Sequence, residues 1–170
     1  MMEPLAVRLA AVADAPAIAA IYNEGIDSRV ATFETAHRTV DQIEAWFEAP
    51  HPVIVVTAGG RVVGFAAASA YRPRACYAGI AEFSVYVDAS ARGRGAGRLA
   101  MEALAREAAD RGYWKLLSRV FVENQASRRL LASCGFREVG VYRNHGRLDG
   151  IWRDVVIVER LIGAALGDTP

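Results

Sequence analysis

The sequence predicts an α/β domain, a mixed sheet covered by helices on both faces. Three observations carry this reading. The apolar pattern switches period along the chain in the order strand, two helices, three strands, helix, strand, helix and two strands. Two pairs of strand-like runs, Val53–Thr57 with Arg61–Ala70 and Phe136–Arg143 with Trp152–Leu161, look antiparallel, so the sheet is not purely parallel. At 170 residues the chain suffices for one well-buried core and is short for two. One domain over residues 1–170 is therefore expected, with its core running from about Leu5 to Ile162.

Each element has a local reason. Ala6–Ala10 reads as a first strand. Asp14-Ala15-Pro16 offers an N-cap and a first-turn proline to a helix through Ile18, Ile21 and Tyr22. Gly25–His37 reads as irregular. Thr39 and Gln42 have the spacing of a capping box, opening a second helix that presents Ile43, Trp46 and Phe47 inward and stops before Pro50. Ala58-Gly59-Gly60 joins the first hairpin. Ile80–Val87 is the next strand, and a helix through Leu99, Met101, Leu104 and Ala108 ends near Gly112. Leu116–Val122 is a strand, Ser127–Ser133 a short helix closed by Gly135, and the last two strands follow.

Composition excludes several functions. Hydrophobic residues make up 53% and charged residues 23%, a mixture without a disorder signature. A net charge of +1 gives no general attraction to nucleic acid or to an anionic membrane, so neither is an expected partner. No apolar run approaches the roughly 20 residues that cross a bilayer, and the start lacks the pattern of a secretory signal. A cytoplasmic location is expected. Cys76 and Cys134 form no CxxC pair and read as reduced, buried or half-buried thiols. His37, His51 and His145 show no metal-ligand spacing, so no metal is expected.

The chemistry concentrates where Ser84–Asp88, a strand end, meets the loop Ala89–Gly97 and the helix beyond it. A helix start after a strand exposes unpaired N–H groups and the positive end of the helix dipole. Gly93, Gly95 and Gly97 let the backbone approach a ligand, and Arg92, Arg94 and Arg98 add positive charge. The loop suits a pyrophosphate. It is not a Rossmann site, since the third glycine falls one position early, at Gly97. Nor is it a Walker loop, which ends in Gly-Lys-Ser/Thr.

Arg92-Gly93-Arg94-Gly95-Ala96-Gly97 resembles the Arg/Gln-x-x-Gly-x-Gly/Ala segment of the GNAT acetyltransferase superfamily, and the stretch from Asn124 to Gly135-Phe136 is similar to that superfamily's later Asn-x-x-Ala/Ser…Gly-Phe segment. Ala31–Glu34, Tyr71–Arg74, Glu82–Val87 and Gly150–Val155 resemble more closely the branch of phosphinothricin N-acetyltransferases, which includes methionine sulfoximine/sulfone and arsinothricin acetyltransferases.

The resemblance implies a GNAT-like, mostly antiparallel sheet and acetyl-CoA as acetyl donor. It implies that the pantetheine arm lies along Val85, Tyr86 and Val87 like an extra strand, which requires this strand to splay from its neighbour. The pyrophosphate is then expected on Arg92, Gly93, Arg94, Gly95, Ala96, Gly97 and Arg98, and the arm or thioester at Asn124 and Ser127. Only a neutral amine attacks a thioester, and Glu82, before the cofactor strand, is the implied base. A backbone N–H near Val85 is the implied donor to a developing oxyanion. Arg72 and Arg74, two apart on a strand or strand end, are implied to clamp acceptor anions. Phe33 and Glu34 are implied to cover the acceptor and steer its ammonium group. Many members carry a tyrosine acid seven positions after the asparagine; here Leu131 stands there, and no acid is identified. Trp152 and Asp154 read as core and ladder residues or as part of a homodimer face.

The implied reaction acetylates the α-amino group of a small anionic amino-acid analogue. Acetylation of protein or peptide N-termini, and a non-catalytic acyl-CoA sensor, are the alternatives.

Overall fold

A computed structural model describes residues 2–167; Met1 and residues 168–170, the outer ends of the expected domain, lie outside the described residues. The chain runs β1 (Leu5–Leu9), α1 (Ala15–Asp27), α2 (Val40–Glu44), β2 (Val53–Ala58), β3 (Arg61–Ala70) and β4 (Ile80–Val87). It continues through α3 (Ala96–Asp110), β5 (Lys115–Phe121), α4 (Gln125–Ser133), β6 (Arg137–Leu148) and β7 (Ile151–Leu161). The element order is the one read from the sequence. Seven strands form one sheet in the order β1-β2-β3-β4-β5-β7-β6, antiparallel except where β4 meets β5.

Strand alternation sorts the core into two layers. Val55, Val62 and Phe65 face α1 and α2, where Ile18, Ile26 and Ile43 are fully buried. Val56, Val63 and Ala66 face α3, packing on Met101 and Leu104. A smaller cluster of Phe121, Leu148, Val155 and Ile157 closes the β7 end. No helix among the described residues is long and apolar enough to cross a membrane.

Several local expectations change. Asp14 sits at the N-cap position of α1, but its carboxylate does not cap that helix. It accepts from the Ala11 N–H at 2.8 Å and from both arms of Arg8 at 2.7 and 2.9 Å. The Arg8 bonds hold the Asp14 carboxyl below its usual range. α1 continues to Asp27, three residues into the stretch read as irregular, because Ile26 still faces the core. The Thr39–Gln42 capping box forms as expected, yet α2 is short and gives way to a tighter turn at Ala45–Glu48 that leaves Trp46 and Phe47 half-buried. β6 extends to Leu148, through bulges where the Asn144 N–H donates to Asp154. Trp152 is not a core residue: it is half exposed, with Arg147 over its ring at 4.2 Å. Cys134 is buried, but Cys76 is exposed rather than half-buried.

Candidate active site

The site is an opening in the sheet. β4 pairs with β5 only from Ile80, Ala81 and Glu82 to Lys115, Leu116 and Leu117. Beyond that point β4 runs to Val87 held by β3 alone, while β5 continues to Phe121 held by β7 alone. The V-shaped gap exposes one edge of β4, as the cofactor reading requires.

Two clefts meet along this gap. The wider, of 640 Å³, is lined by Val85, Tyr86, Val87, Arg92, Gly93, Gly95, Ala96, Gly97, Arg98, Asn124 and Ser127, together with Gly25, Arg129 and Leu130. Gly95 precedes α3 with φ +88° and Gly93 has φ +74°, both left-handed, and a Cβ at either would meet nothing within 4 Å. The loop therefore turns its backbone toward open space at the N-terminus of a 15-residue helix. Such a cradle fits a diphosphate by its donors and its dipole. Gly97 serves another purpose. A Cβ there would stand 2.8 Å from Leu130, so the glycine lets α3 pack on α4.

The arginines divide. Arg98 faces the wider cleft. Arg92 also lines it, while bonding Glu24 at 3.1 Å and the Val87 carbonyl at 3.3 Å. Arg94 turns away, donating to the Glu3 carbonyl at 2.6 Å, and is not among the lining residues. Asn124 caps α4 by accepting from the Ser127 N–H at 3.2 Å, and donates to the Val30 carbonyl at 3.1 Å. Its amide thus ties the loop after α1 to the mouth of the gap.

The second cleft, of 310 Å³, holds Glu82, with Ser84, Phe33, Thr32, Tyr22, Tyr86, Ser118, Arg119 and His145 around it. Phe33 forms a wall, edge-on to Phe121 at a ring separation of 4.7 Å and close against Gly146. Tyr86 stacks on Phe65 at 5.4 Å and lies tilted against Tyr22 at 4.9 Å. Burial pushes the Tyr86 hydroxyl above its ordinary range, so it stays protonated at neutral pH. Leu131 is buried beneath the junction and offers no proton.

The acceptor-binding expectations need correction in position. Glu34 does not line this cleft: its carboxylate makes a two-pronged pair with Arg38. Arg72 and Arg74 are not on β3, which ends at Ala70. They lie in the β3–β4 connection, each guanidinium over a neighbouring ring, Tyr71 at 5.2 Å and Tyr77 at 5.8 Å. Neither lines the cleft, although their loop rises from the strand ends where Ser69 pairs with Glu82.

Sequence reasoning missed Arg119, whose guanidinium meets the Glu82 carboxylate at 3.1 and 3.4 Å. The signal was present: Arg119 alternates with Leu117 and Phe121 onto one face of β5, and both of these neighbours pack in an apolar cluster. A charge at such a position calls for a partner. Tyr22 and His145 reach the cleft from distant segments and carried no local signal, whereas Thr32 comes from the Ala31–Glu34 stretch beside Phe33.

The chain matches the model of the acetyltransferase (GNAT) family over residues 18–136. It is 36% identical over 163 residues to a phosphinothricin N-acetyltransferase of Alcaligenes faecalis, covering 92% of this chain and 81% of the relative. It is 32% identical over 158 residues to an L-methionine sulfoximine/L-methionine sulfone acetyltransferase of Pseudomonas paraeruginosa, covering 90% and 92%. The fold superposes on a GNAT-superfamily phosphinothricin acetyltransferase of Sinorhizobium meliloti in complex with acetyl-CoA, with a TM-score of 0.89, 27% identity, and coverage of 98% and 92%.

Proposed function

We propose, from the premise that this chain belongs to the acetyltransferase (GNAT) family and is an acetyl-CoA-dependent N-acetyltransferase, that its acceptor is the α-amino group of a small anionic amino-acid analogue. The phosphinothricin, methionine sulfoximine, methionine sulfone and arsinothricin types make up that class. The observation that carries the reading is the junction of the two clefts along β4, with the glycine-loop cradle in one and Glu82 in the other. The names of the relatives support it.

Acetyl-CoA supplies an activated acyl group when bound. Gly93, Gly95, Ala96 and Arg98 would hold its diphosphate, and Arg92 would hold the loop while lining it. The exposed edge of Val85–Val87 would take the arm. Glu82 would accept the proton of the incoming ammonium, directly or through a water. Phe33 would pack on the acceptor's carbon chain and exclude water. A 310 Å³ cleft is of the size that takes a single amino acid.

Arg72 and Arg74, on the loop above this strand end, are proposed to meet the acceptor's side-chain anion. Arg74→Ala should then raise KM about tenfold or more for a phosphinate-bearing acceptor, the scale of one lost charge-assisted bond. An unchanged KM would place Arg74 outside the site. A homodimer is also proposed, supported by the exposed apolar side chains Val141, Tyr142, Ile151 and Trp152 of the edge hairpin.

Cofactor choice is tested by thermal shift. At a hundred times its Kd, acetyl-CoA should add about 2.7 kcal/mol of stability. For a chain of this size that raises Tm by about 5–10 °C. NAD stabilising the protein equally well would count against the cradle.

A further inference from the structure

The geometry points to Arg119 as the residue that reads the acceptor's α-carboxylate, with the Glu82–Arg119 ion pair acting as a template for the zwitterion of an α-amino acid. The inference rests on the amino-acid reading above and adds to it a specificity-determining residue.

Glu82 is the last β4 residue paired with β5, and Arg119 lies two positions beyond its partner Leu117, where β5 turns away. The guanidinium therefore spans the mouth of the gap. It donates to one carboxylate oxygen at 3.1 Å and to the other at 3.4 Å. Arg119 is the one guanidinium among the described residues lining the acceptor cleft. Its strand neighbours on the same face, Leu117 and Phe121, pack in an apolar cluster, so nothing in that packing calls for a charge between them.

The side chains of Arg119 and Glu82 are 37% and 27% exposed. A pair this open to water is weakly held and can exchange partners readily. An α-amino acid carries an ammonium and a carboxylate on one carbon, so its two charges are as close together as those of the pair. Inserted into the cleft, it would present its ammonium to Glu82 and its carboxylate to the planar fork of Arg119. Four alternating charges replace two, and none is left unpaired. The same placement delivers the nitrogen to the carboxylate that takes its proton. A simple amine would occupy Glu82 and leave Arg119 without a partner; a peptide N-terminus, lacking a free α-carboxylate, would do the same.

The test uses steady-state thiol release from acetyl-CoA with two acceptors, L-methionine sulfone and its decarboxylated counterpart 3-(methylsulfonyl)propan-1-amine. Wild type should favour the amino acid by about 10- to 100-fold in kcat/KM, as expected for a charge-assisted bond made by only one of them. Arg119→Met should remove most of that preference by raising KM for the amino acid, with KM for the amine little changed. Arg119→Lys should recover part of it, since it restores the charge without the fork. The acetyl-CoA melting shift reports whether each variant folds; if the Met variant lacks it, the Lys variant against wild type decides. Equal losses on both acceptors through kcat would show that Arg119 merely holds Glu82, and would overturn the proposal. So would a wild type that does not distinguish the acceptors, although the amino-acid reading would then survive. Turnover of neither acceptor, with acetyl-CoA still bound, would remove the amino-acid reading itself.

Discussion

Replacing Glu82 with glutamine is expected to lower kcat by about 10²- to 10⁴-fold at neutral pH, the usual contribution of a positioned general base. The amide keeps the shape and the hydrogen-bonding reach of the side chain but cannot take a proton from the ammonium. Glu82 is part exposed and its partner Arg119 faces the same open cleft, so the substitution leaves no charge buried. Folding should therefore survive, and the acetyl-CoA melting shift should match wild type, because the cofactor cradle lies further along β4 and in the loop beyond it. Raising the pH should restore part of the rate as free amine accumulates. A Glu82→Gln enzyme with wild-type kcat across that range would place the base elsewhere.

The largest expected effect on stability belongs to Phe65. Its side chain is fully buried on β3, stacked on Tyr86 and near Tyr22 and Trp46, at the centre of the layer beneath α1. Truncation to alanine should cost about 3–5 kcal/mol, the transfer term plus the cavity. Tm should fall by about 6–20 °C for a domain of this length. The loss should also reach the site. Tyr86 belongs to the cofactor strand and its ring bears on Gly25 of α1, so a cavity beneath it loosens one wall of both clefts. A melting point within 2 °C of wild type would mean that the ring stack carries little of the core's energy.

Local chemistry made most of the fold legible. Period-2 and period-3.6 patterns placed all eleven principal elements in order, because each strand and helix has one face against the sheet's core. Thr39 and Gln42 close a capping box in the structure as their spacing implies. A capping bond failed where another contact outweighed the local preference. Asp14 has the right type and position for a cap, but Arg8 on the neighbouring strand takes its carboxylate.

The cradle was legible for the same reason as the helices: strand, glycine loop and helix are contiguous, so their geometry is written in one segment. The acceptor cleft was not. Its walls come from α1, the loop after it, β4, β5 and the β6–β7 hairpin, and side-chain pairing across them is set only by the assembled sheet. Glu34 looked free to steer an ammonium, and Arg38 claims it. Arg94 looked like a phosphate ligand, and the Glu3 carbonyl holds it. Arg119 looked like one more strand residue, and it meets Glu82 only because β4 and β5 pair in parallel just below.

The most direct measurement mixes the protein with acetyl-CoA and either L-phosphinothricin or L-methionine sulfone, then follows both products together. Free thiol is read by absorbance, and the acceptor by mass and by the position of the new acyl group. The account predicts stoichiometric thiol release and one added acetyl group on the α-nitrogen, abolished when the α-amine is blocked. Acetyl-CoA binding with no thiol release from any such amino acid, alongside rapid acetylation of a peptide N-terminus, would contradict it.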